Sequence, residues 1–185
     1  MQQNPDYIKS EPVVTLHGVL VQVFSTGVMF TGPAGIGKSE CALELLTRGH
    51  QLIADDSVEI VRTGNRLLGR PPEMTRGLLY IRGFGCIDVA RVFGDQSIRA
   101  DSPIDLVVEL TPWQTAEVSD TLFVDFVAEA ILDVTVRKLN VLASPRRNLS
   151  LLAETAVRLL WLEENGEKDA ASELIKRHQK AISLD

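Results

Sequence analysis

The chain has 185 residues, of which 45% are hydrophobic and 24% charged, and its formal net charge is -6. This length allows one domain with a substantial core, and the composition is that of a soluble globular protein. The negative charge argues against broad binding to nucleic acid or to an anionic membrane. No apolar run approaches the ~20 residues needed to cross a bilayer, and the first twelve residues lack a signal peptide's apolar core. We therefore expect a cytoplasmic protein.

The first half of the chain predicts strands on both sides of a helix. Residues 1–12 are predicted to be a flexible tail, and residues 13–185 a single domain. The β-branched segments 13–24 and 28–31 predict two strands joined by a tight connection. An amphipathic helix is predicted over 38–48, with Gly49 as its stop, and an apolar strand over 51–54. Together these elements predict a right-handed βαβ unit.

The second half predicts a hairpin, further strands and two closing helices. The hairpin is predicted over 58–68, a loop near the chemistry over 81–85, and strands over 104–110 and 139–142. Asn148 is predicted to cap a helix that runs to residue 164, and a last helix spans 169–182. The residues expected to lie on the apolar stripes of these two helices are Leu152, Ala156, Leu159 and Leu160, then Leu174, Ile175, Ala181 and Ile182. The two cysteines, Cys41 and Cys86, are predicted to be reduced and buried.

A glycine-rich loop carries the strongest functional signal. It fits the pattern G-x-x-x-x-G-K-[ST] and consists of Gly32, Pro33, Ala34, Gly35, Ile36, Gly37, Lys38 and Ser39. Free backbone N–H groups of such a loop, backed by a helix N-terminus, form a site for phosphates. Lys38 is predicted to face the β- and γ-phosphates, and the Ser39 hydroxyl to bind Mg²⁺. The pattern therefore predicts a nucleoside triphosphate site.

Two adjacent acidic residues, Asp55 and Asp56, follow the strand after this helix. Ligands of open α/β sheets lie at the carboxyl ends of the strands, so the pair is expected to face the triphosphate. Neighbouring side chains on a strand point in opposite directions. One aspartate is thus expected to face the metal and the other an incoming hydroxyl, which is what phosphoryl transfer requires.

The same residues resemble a known family. The run from Gly32 to Asp56 reads GPAGIGKSECALELLTRGHQLIADD, and LHGVLV precedes it at 16–21. With IRGFG at 81–85 and RNL at 147–149, these segments closely resemble bacterial HPr kinase/phosphorylase. The resemblance implies a phosphate-loop α/β fold of the PEP carboxykinase-like, HPr kinase catalytic-domain type, with a mixed sheet and C-terminal helices.

The resemblance also implies a reaction. Members of the family use ATP and Mg²⁺ to phosphorylate a serine of HPr, the phosphocarrier protein of the sugar phosphotransferase system. They reverse the step by phosphorolysis, and their catalytic domains typically form hexamers. By position, His17, Lys38 and Asp56 would be catalytic, with Asp56 accepting the proton in one direction and donating it in the other. Ser39 and Asp55 would hold the metal.

The chain departs from the family pattern at four places. The family usually has a separate N-terminal domain, whereas about twelve residues precede the matching region here. Tyr80 replaces a glutamate that helps to bind Mg²⁺, residues 113–131 lack the family's active-site arginine, and Ser144 and Arg146 alter a signature that supports phosphorolysis. Two alternatives therefore stay open: a regulatory module that binds nucleotide with little catalysis, and a related kinase with another acceptor.

Overall fold

Twelve strands, four α-helices and two short 3₁₀-helices lie in the part of the chain that the computed structural model describes, residues 13–113, 124–167 and 170–182. The strands are β1 Val13–His17, β2 Val19–Val23, β3 Thr26–Thr31, β4 Gln51–Ala54, β5 Ser57–Thr63, β6 Arg66–Arg70, β7 Leu78–Ile81, β8 Gly85–Asp88, β9 Ser102–Pro103, β10 Leu106–Pro112, β11 Phe126–Ile131 and β12 Val134–Ala143. The helices are α1 Lys38–Thr47, α2 Val89–Phe93, α3 Leu149–Glu164 and α4 Ala170–Ile182. The fold is α/β, as predicted.

A mixed sheet of six strands lies at the centre, in the order β11-β12-β10-β3-β2-β4. Strands β3, β10 and β12 run parallel to one another, and the other neighbours are antiparallel. Strand β4 is antiparallel to β2, which is antiparallel to β3, so β4 runs parallel to β3 with β2 between them. Strand β3, helix α1 and strand β4 therefore form the predicted βαβ unit, and β2 lies between its two parallel strands in the sheet.

The core is divided between the two faces of this sheet. Strand β3 is buried on both faces: Val28 and Phe30 point to one side and Met29 to the other. Helix α1 covers the first side with Cys41, Ala42, Leu45 and Leu46, and α3 adds Ala153, Ala156, Val157 and Leu160. A second sheet, ordered β1-β5-β6-β9, packs against the opposite side. The phosphate loop thus starts from a strand fixed between two apolar layers.

The predicted single strand over 13–24 is wrong, because Gly18 divides it between two sheets. Strand β1 pairs with β5 in the second sheet, while β2 pairs with β3 in the central one. A Cβ atom at Gly18 would lie 2.5 Å from the Phe30 carbonyl oxygen, so only glycine permits this approach. The Gly18 N–H donates to the carbonyl of Asp56, 3.1 Å away. This crossing brings the end of β1 to the end of β4.

Several local predictions are corrected by the packing. The strand expected over 139–142 is part of the ten-residue β12, and β11 was not predicted. Ala156 and Leu160 are buried as predicted, whereas Leu152 is exposed, because α3 turns Ala153 towards the core instead. Cys86 is exposed, whereas Cys41 is buried as predicted, and burial raises the pKa of its thiol to about 12.

The two C-terminal helices agree with the sequence predictions in the cap of α3 and differ in the burial of some of their apolar side chains. Asn148 caps α3, with its side chain accepting from the N–H of Leu151, as predicted. Along α4, Leu174 and Ile175 are exposed. The tail over 1–12 and the side chains of Ala181 and Ile182 lie outside what the structure describes. Among the described helices, none combines the length and the apolar character that spanning a bilayer requires.

Candidate phosphate-binding and catalytic site

The glycine-rich loop connects β3 to α1 at the carboxyl end of the central sheet. Gly32 has φ +125°, and a Cβ atom there would lie 2.3 Å from the Leu110 carbonyl oxygen, so the loop needs glycine at its first position. Gly37 precedes α1 without a side chain that caps the helix. The N–H groups of the first turn are therefore left to face a ligand, and a helix N-terminus of this kind attracts anions.

Lys38 folds back over the loop. Its ammonium group donates to the carbonyl oxygens of Gly32, at 2.9 Å, and Pro33, at 3.0 Å. Burial lowers the pKa of Lys38, and the negative charges of Asp56, Asp55 and Glu40 oppose that shift. A desolvated ammonium group held above N–H donors is positioned to bind phosphate oxygens.

Asp55 is the buried member of the acidic pair. Its Oδ1 accepts from the Ser39 hydroxyl at 2.8 Å, and its Oδ2 accepts from the backbone N–H of Tyr80, also at 2.8 Å. Burial raises the pKa of Asp55, while the hydrogen bonds from Tyr80 and Ser39 lower it. Both carboxylate oxygens are therefore fixed in direction, and one of them lies beside the first turn of α1.

Asp56 is exposed and held in an unusual backbone conformation. It has φ +67°, and the N–H of Ser57 donates across it to the Asp55 carbonyl at 2.8 Å, which closes a tight γ-turn. Residues other than glycine rarely adopt this region, and such strain concentrates at functional sites. The two aspartates thus occupy different environments, as the sequence predicted.

His17 approaches Asp56 from the end of β1. Its Nδ1 lies 3.3 Å from Oδ1 of Asp56, and both side chains are at least half exposed. The antiparallel pairing of β1 with β5 sets this contact, because it places His17 opposite Ser57. The pair is open to a group that enters from solvent.

The residues proposed from the sequence as catalytic or metal-binding line one small cavity of about 170 Å³ together with Ala34, Gly35 and Gly37 of the loop, whereas Gly32, Pro33 and Ile36 lie outside its lining. The charged and polar members that surround it are His17, Lys38, Ser39, Glu40, Asp55, Asp56, Tyr80 and Arg82. Two cationic side chains, three carboxylates and two loop glycines therefore lie around one phosphate-sized space. Their chemical roles remain predictions.

Two contributions were missed by the sequence reasoning. Tyr80 takes part through its backbone N–H, whereas its phenol is 60% exposed. Arg82 had no assigned role, yet its guanidinium would lie 2.8 Å from a Cβ atom built at Gly35, so it covers the loop. The only signal for Arg82 was a cation between a strand end and a glycine, which is too common to identify a site.

The residues present fit a magnesium ion. The Ser39 hydroxyl and the Asp55 carboxylate supply two oxygen ligands next to the loop, and Mg²⁺ in phosphate sites binds one or two protein oxygens, phosphate oxygens and water. Among the described residues, no group of three His, Cys, Asp or Glu side chains is arranged to hold a metal alone. This donor set suits an ion that the protein shares with a bound phosphate chain.

Comparisons with known proteins agree on one family. Residues 9–178 match the sequence model of the HPr serine kinase C-terminal domain. The HPr kinase/phosphorylase of an Exiguobacterium species is 42% identical over 172 residues, which are 92% of this chain and 55% of that protein. The HPr kinase/phosphorylase of Caldanaerobacter subterraneus subsp. tengcongensis is 42% identical over 175 residues, 94% and 57% of the two chains.

A solved structure extends the similarity to the fold. The structure of the HPr(Ser) kinase/phosphatase from Coxiella burnetii superposes with a TM-score of 0.77 at 36% identity. The match covers 83% of this chain and 93% of the Coxiella chain. The chain spans about half the length of the curated relatives it matches.

Proposed function

The chain belongs to the HPr serine kinase C-terminal domain family, and on that premise we propose that it is an ATP- and Mg²⁺-dependent protein kinase that phosphorylates a serine of HPr. One observation carries the proposal. The exposed Asp56 carboxylate, held at φ +67° and 3.3 Å from His17, lines the same cavity as Lys38 and Ser39. A proton acceptor and a phosphate cradle therefore lie side by side.

Each residue has a distinct task in this proposal. The loop N–H groups and Lys38 bind the β- and γ-phosphates of ATP and neutralise their charge. Ser39 and Asp55 would hold Mg²⁺, which supplies further charge neutralisation between the phosphates when bound. Tyr80 fixes the Asp55 carboxylate through its N–H, and Arg82 adds a cation at the mouth of the loop. Phosphoryl transfer depends mainly on such alignment and charge balance.

Asp56 acts on the acceptor. Its carboxylate accepts the proton of the serine hydroxyl as the serine oxygen bonds to the γ-phosphorus and ADP leaves. His17 positions the carboxylate through the contact at 3.3 Å. In the reverse direction, an oxygen of inorganic phosphate bonds to the phosphoserine phosphorus, pyrophosphate forms, and Asp56 returns the proton to the serine oxygen. One carboxylate thus serves both directions.

The setting of this activity is part of the proposal. The family resemblance and the phosphate chemistry support a cytoplasmic protein that assembles as a hexamer and binds neither nucleic acid nor membrane. Exposed apolar side chains of α3 and α4, among them Trp161 and Leu174, support self-association, since contact between copies would bury them.

A regulatory module without turnover is the second candidate, favoured by Tyr80. Its exposed phenol stands where the family has a metal-binding carboxylate, and a neutral phenol is a poor ligand for Mg²⁺. This candidate predicts ATP binding without transfer to any acceptor. A kinase with another acceptor predicts transfer, but not to HPr.

One assay separates these functions. The chain is incubated with HPr, ATP and Mg²⁺, HPr is analysed by intact mass and peptide mapping, and inorganic phosphate is then added while pyrophosphate is followed. We expect one phosphoserine on HPr, absent when Lys38→Met replaces the wild type, and pyrophosphate release afterwards. Unmodified HPr in the presence of bound ATP would contradict the proposed function.

A further inference from the structure

Two of the described residues that line the catalytic cavity of about 170 Å³ carry a hydroxyl group, Ser39 and Tyr80. The Ser39 hydroxyl is engaged, because it donates to Asp55 at 2.8 Å from the first turn of α1. Tyr80 is 60% exposed. A phenol hydroxyl both donates and accepts hydrogen bonds, so that of Tyr80 is open to a group bound in the cavity.

The β7–β8 hairpin directs the Tyr80 ring towards the cavity. Leu79 and its cross-strand partner Ile87 are buried on the inner face of the hairpin. Successive side chains of a strand point to opposite faces, so Tyr80 and its own partner Cys86 lie on the outer face, where both are exposed. The N–H of Tyr80 donates to Asp55 at 2.8 Å. The backbone that carries the phenol is therefore fixed beside the acidic pair, while the ring itself is free to turn.

The charges around the cavity suit a phosphoryl group on this phenol. Lys38 and Arg82 line the same cavity as Tyr80. Lysine and arginine cations form strong hydrogen bonds with phosphate oxygens, and a phosphorylated tyrosine carries a charge of about -1.5 to -2 at pH 7. Asp56, the carboxylate proposed above as the proton acceptor, lines the cavity too. Apart from the phosphoryl donor, the groups that transfer requires therefore all belong to this chain.

We propose that Tyr80 is a second phosphoryl acceptor, modified by the catalytic site of its own chain. The inference rests on the proposed function, since the donor is the ATP bound at the phosphate loop. The Tyr80 phenol oxygen bonds to the γ-phosphorus, the bond from that phosphorus to the β–γ bridging oxygen breaks, ADP leaves, and Asp56 accepts the phenol proton. An acceptor held in the same chain needs no encounter with a second molecule.

Phosphorylation of Tyr80 is expected to block the protein acceptor. The cavity of about 170 Å³ has room for one phosphate-sized group beside the loop. A phosphotyrosine held there by Lys38 and Arg82 occupies the space that a serine of another protein must enter. The modified chain is therefore expected to be an inactive kinase.

The two tyrosines of the chain, Tyr7 and Tyr80, supply a matched pair of variants. The full chain is incubated with Mg²⁺-ATP in the absence of HPr and analysed by intact mass and peptide mapping. We expect one phosphoryl group, on Tyr80, in the wild type and in Tyr7→Phe, and none in Tyr80→Phe or Lys38→Met. Tyr80→Phe keeps the ring and the N–H bonded to Asp55, and circular dichroism verifies its fold.

A mixing experiment tests whether the step is internal. Lys38→Met retains Tyr80 but lacks the phosphate-binding lysine, and Tyr80→Phe retains that lysine but lacks the acceptor. Their mixture with Mg²⁺-ATP is expected to contain no phosphotyrosine. Phosphate on Tyr80 of Lys38→Met would show transfer between chains and would overturn the internal step.

The order of addition tests the block. Wild type incubated with Mg²⁺-ATP before HPr is added is expected to phosphorylate HPr more slowly than wild type that receives both together, in proportion to the fraction of chains modified. An equal rate from fully modified chains would overturn the block. Phosphoserine on HPr with unmodified Tyr80 would overturn this inference and leave the proposed function standing. Phosphotyrosine on Tyr80 with unmodified HPr would support the inference and overturn HPr as the acceptor.

Discussion

Asp55 and Asp56 are neighbours in the sequence that experience opposite conditions. Asp55 is 4% exposed and accepts hydrogen bonds from Ser39 and Tyr80, whereas Asp56 is open to solvent and strained. The buried Asp55 carboxylate is oriented to bind a cation, and the exposed Asp56 carboxylate is accessible to accept a proton. Both arrangements cost folding free energy in the free protein, which is common where residues are selected for function rather than stability.

Replacement of Asp55 tests the cost of its burial. Because burial raises the pKa of this carboxyl, its ionised form is less stable in the folded than in the unfolded chain. The stability contributed by the protonated Asp55 carboxyl is present below about pH 4 and is lost as the pH rises through the pKa of this group in the folded chain. Asp55→Asn, which keeps an acceptor for Tyr80, is therefore expected to melt at a higher temperature than the wild type at pH 7.

The measurement is thermal unfolding followed by circular dichroism between pH 4 and pH 8. The difference between Asp55→Asn and wild type is expected to shrink towards pH 4, while kinase activity falls at least tenfold at every pH. Asp101→Asn removes an exposed carboxylate and controls for the change in net charge. A lower melting temperature for Asp55→Asn than for the wild type at pH 7 would contradict the interpretation.

The limits of sequence reasoning at this scale lie in the backbone. The spacing of the loop and the aspartates predicted Lys38, Ser39, Asp55 and Asp56 as neighbours, because each stands at the end of a recognisable element, whereas His17 was assigned to the site through the family resemblance alone. The N–H of Tyr80 gives no sequence signal, since any residue there offers the same donor. Its position depends on where the β7–β8 hairpin packs, which is a tertiary property.

At the scale of elements, a buried polar network links the end of α1 to α3. His50 follows α1, and its Nδ1 accepts from the N–H of Phe24 at 3.3 Å. Its Nε2 therefore carries the proton and donates to Oε1 of Glu154 at 2.9 Å. Arg48 donates to the other oxygen of Glu154 at 3.4 Å. Helix α1, which carries the phosphate loop at its first turn, is thus anchored at its last.

Loss of the Glu154 acceptor is expected to destabilise the fold without altering the site. Glu154→Ala leaves the buried Nε2–H of His50 unpaired, which costs about 1–3 kcal/mol, or several degrees in melting temperature. ATP affinity is expected to stay unchanged, because the loop lies at the other end of α1. Glu154→Gln keeps an acceptor for His50 and is the matched control, expected to recover most of the loss. Chemical denaturation and calorimetry measure both properties, and a fully stable Glu154→Ala would refute the network's role.

Periodicity predicted the elements better where they are buried than where they lie at edges. Helices α1 and α3 and strand β3 were predicted with bounds close to those observed, because their apolar patterns are strong. The break at Gly18 was missed, since the β-branched pattern continues through it. Strand β11 was missed because it lies at the edge of the sheet and mixes half-buried and exposed residues without a regular alternation.

For the whole molecule, the decisive feature is the order of the strands. A larger cavity of about 470 Å³, lined by Trp113 and Ala143 at the ends of β10 and β12, adjoins the phosphate loop. The two adjoin because β10 pairs with β3 and β12 pairs with β10. These contacts join distant parts of the chain, and local sequence patterns do not encode them. The fold class was predictable from the alternation of strands and helices, whereas the second sheet and the second cavity required the tertiary structure.

The most direct test of the account is phosphoryl transfer by Asp56→Asn. Asparagine tolerates positive φ, so the turn and the phosphate loop are expected to persist, and calorimetry should give the wild-type affinity for Mg²⁺-ATP. The initial rate of HPr phosphorylation is expected to fall by about 10²–10⁴-fold, the usual contribution of a general base. An Asp56→Asn variant that binds ATP and phosphorylates HPr at the wild-type rate would contradict the assignment of the proton acceptor.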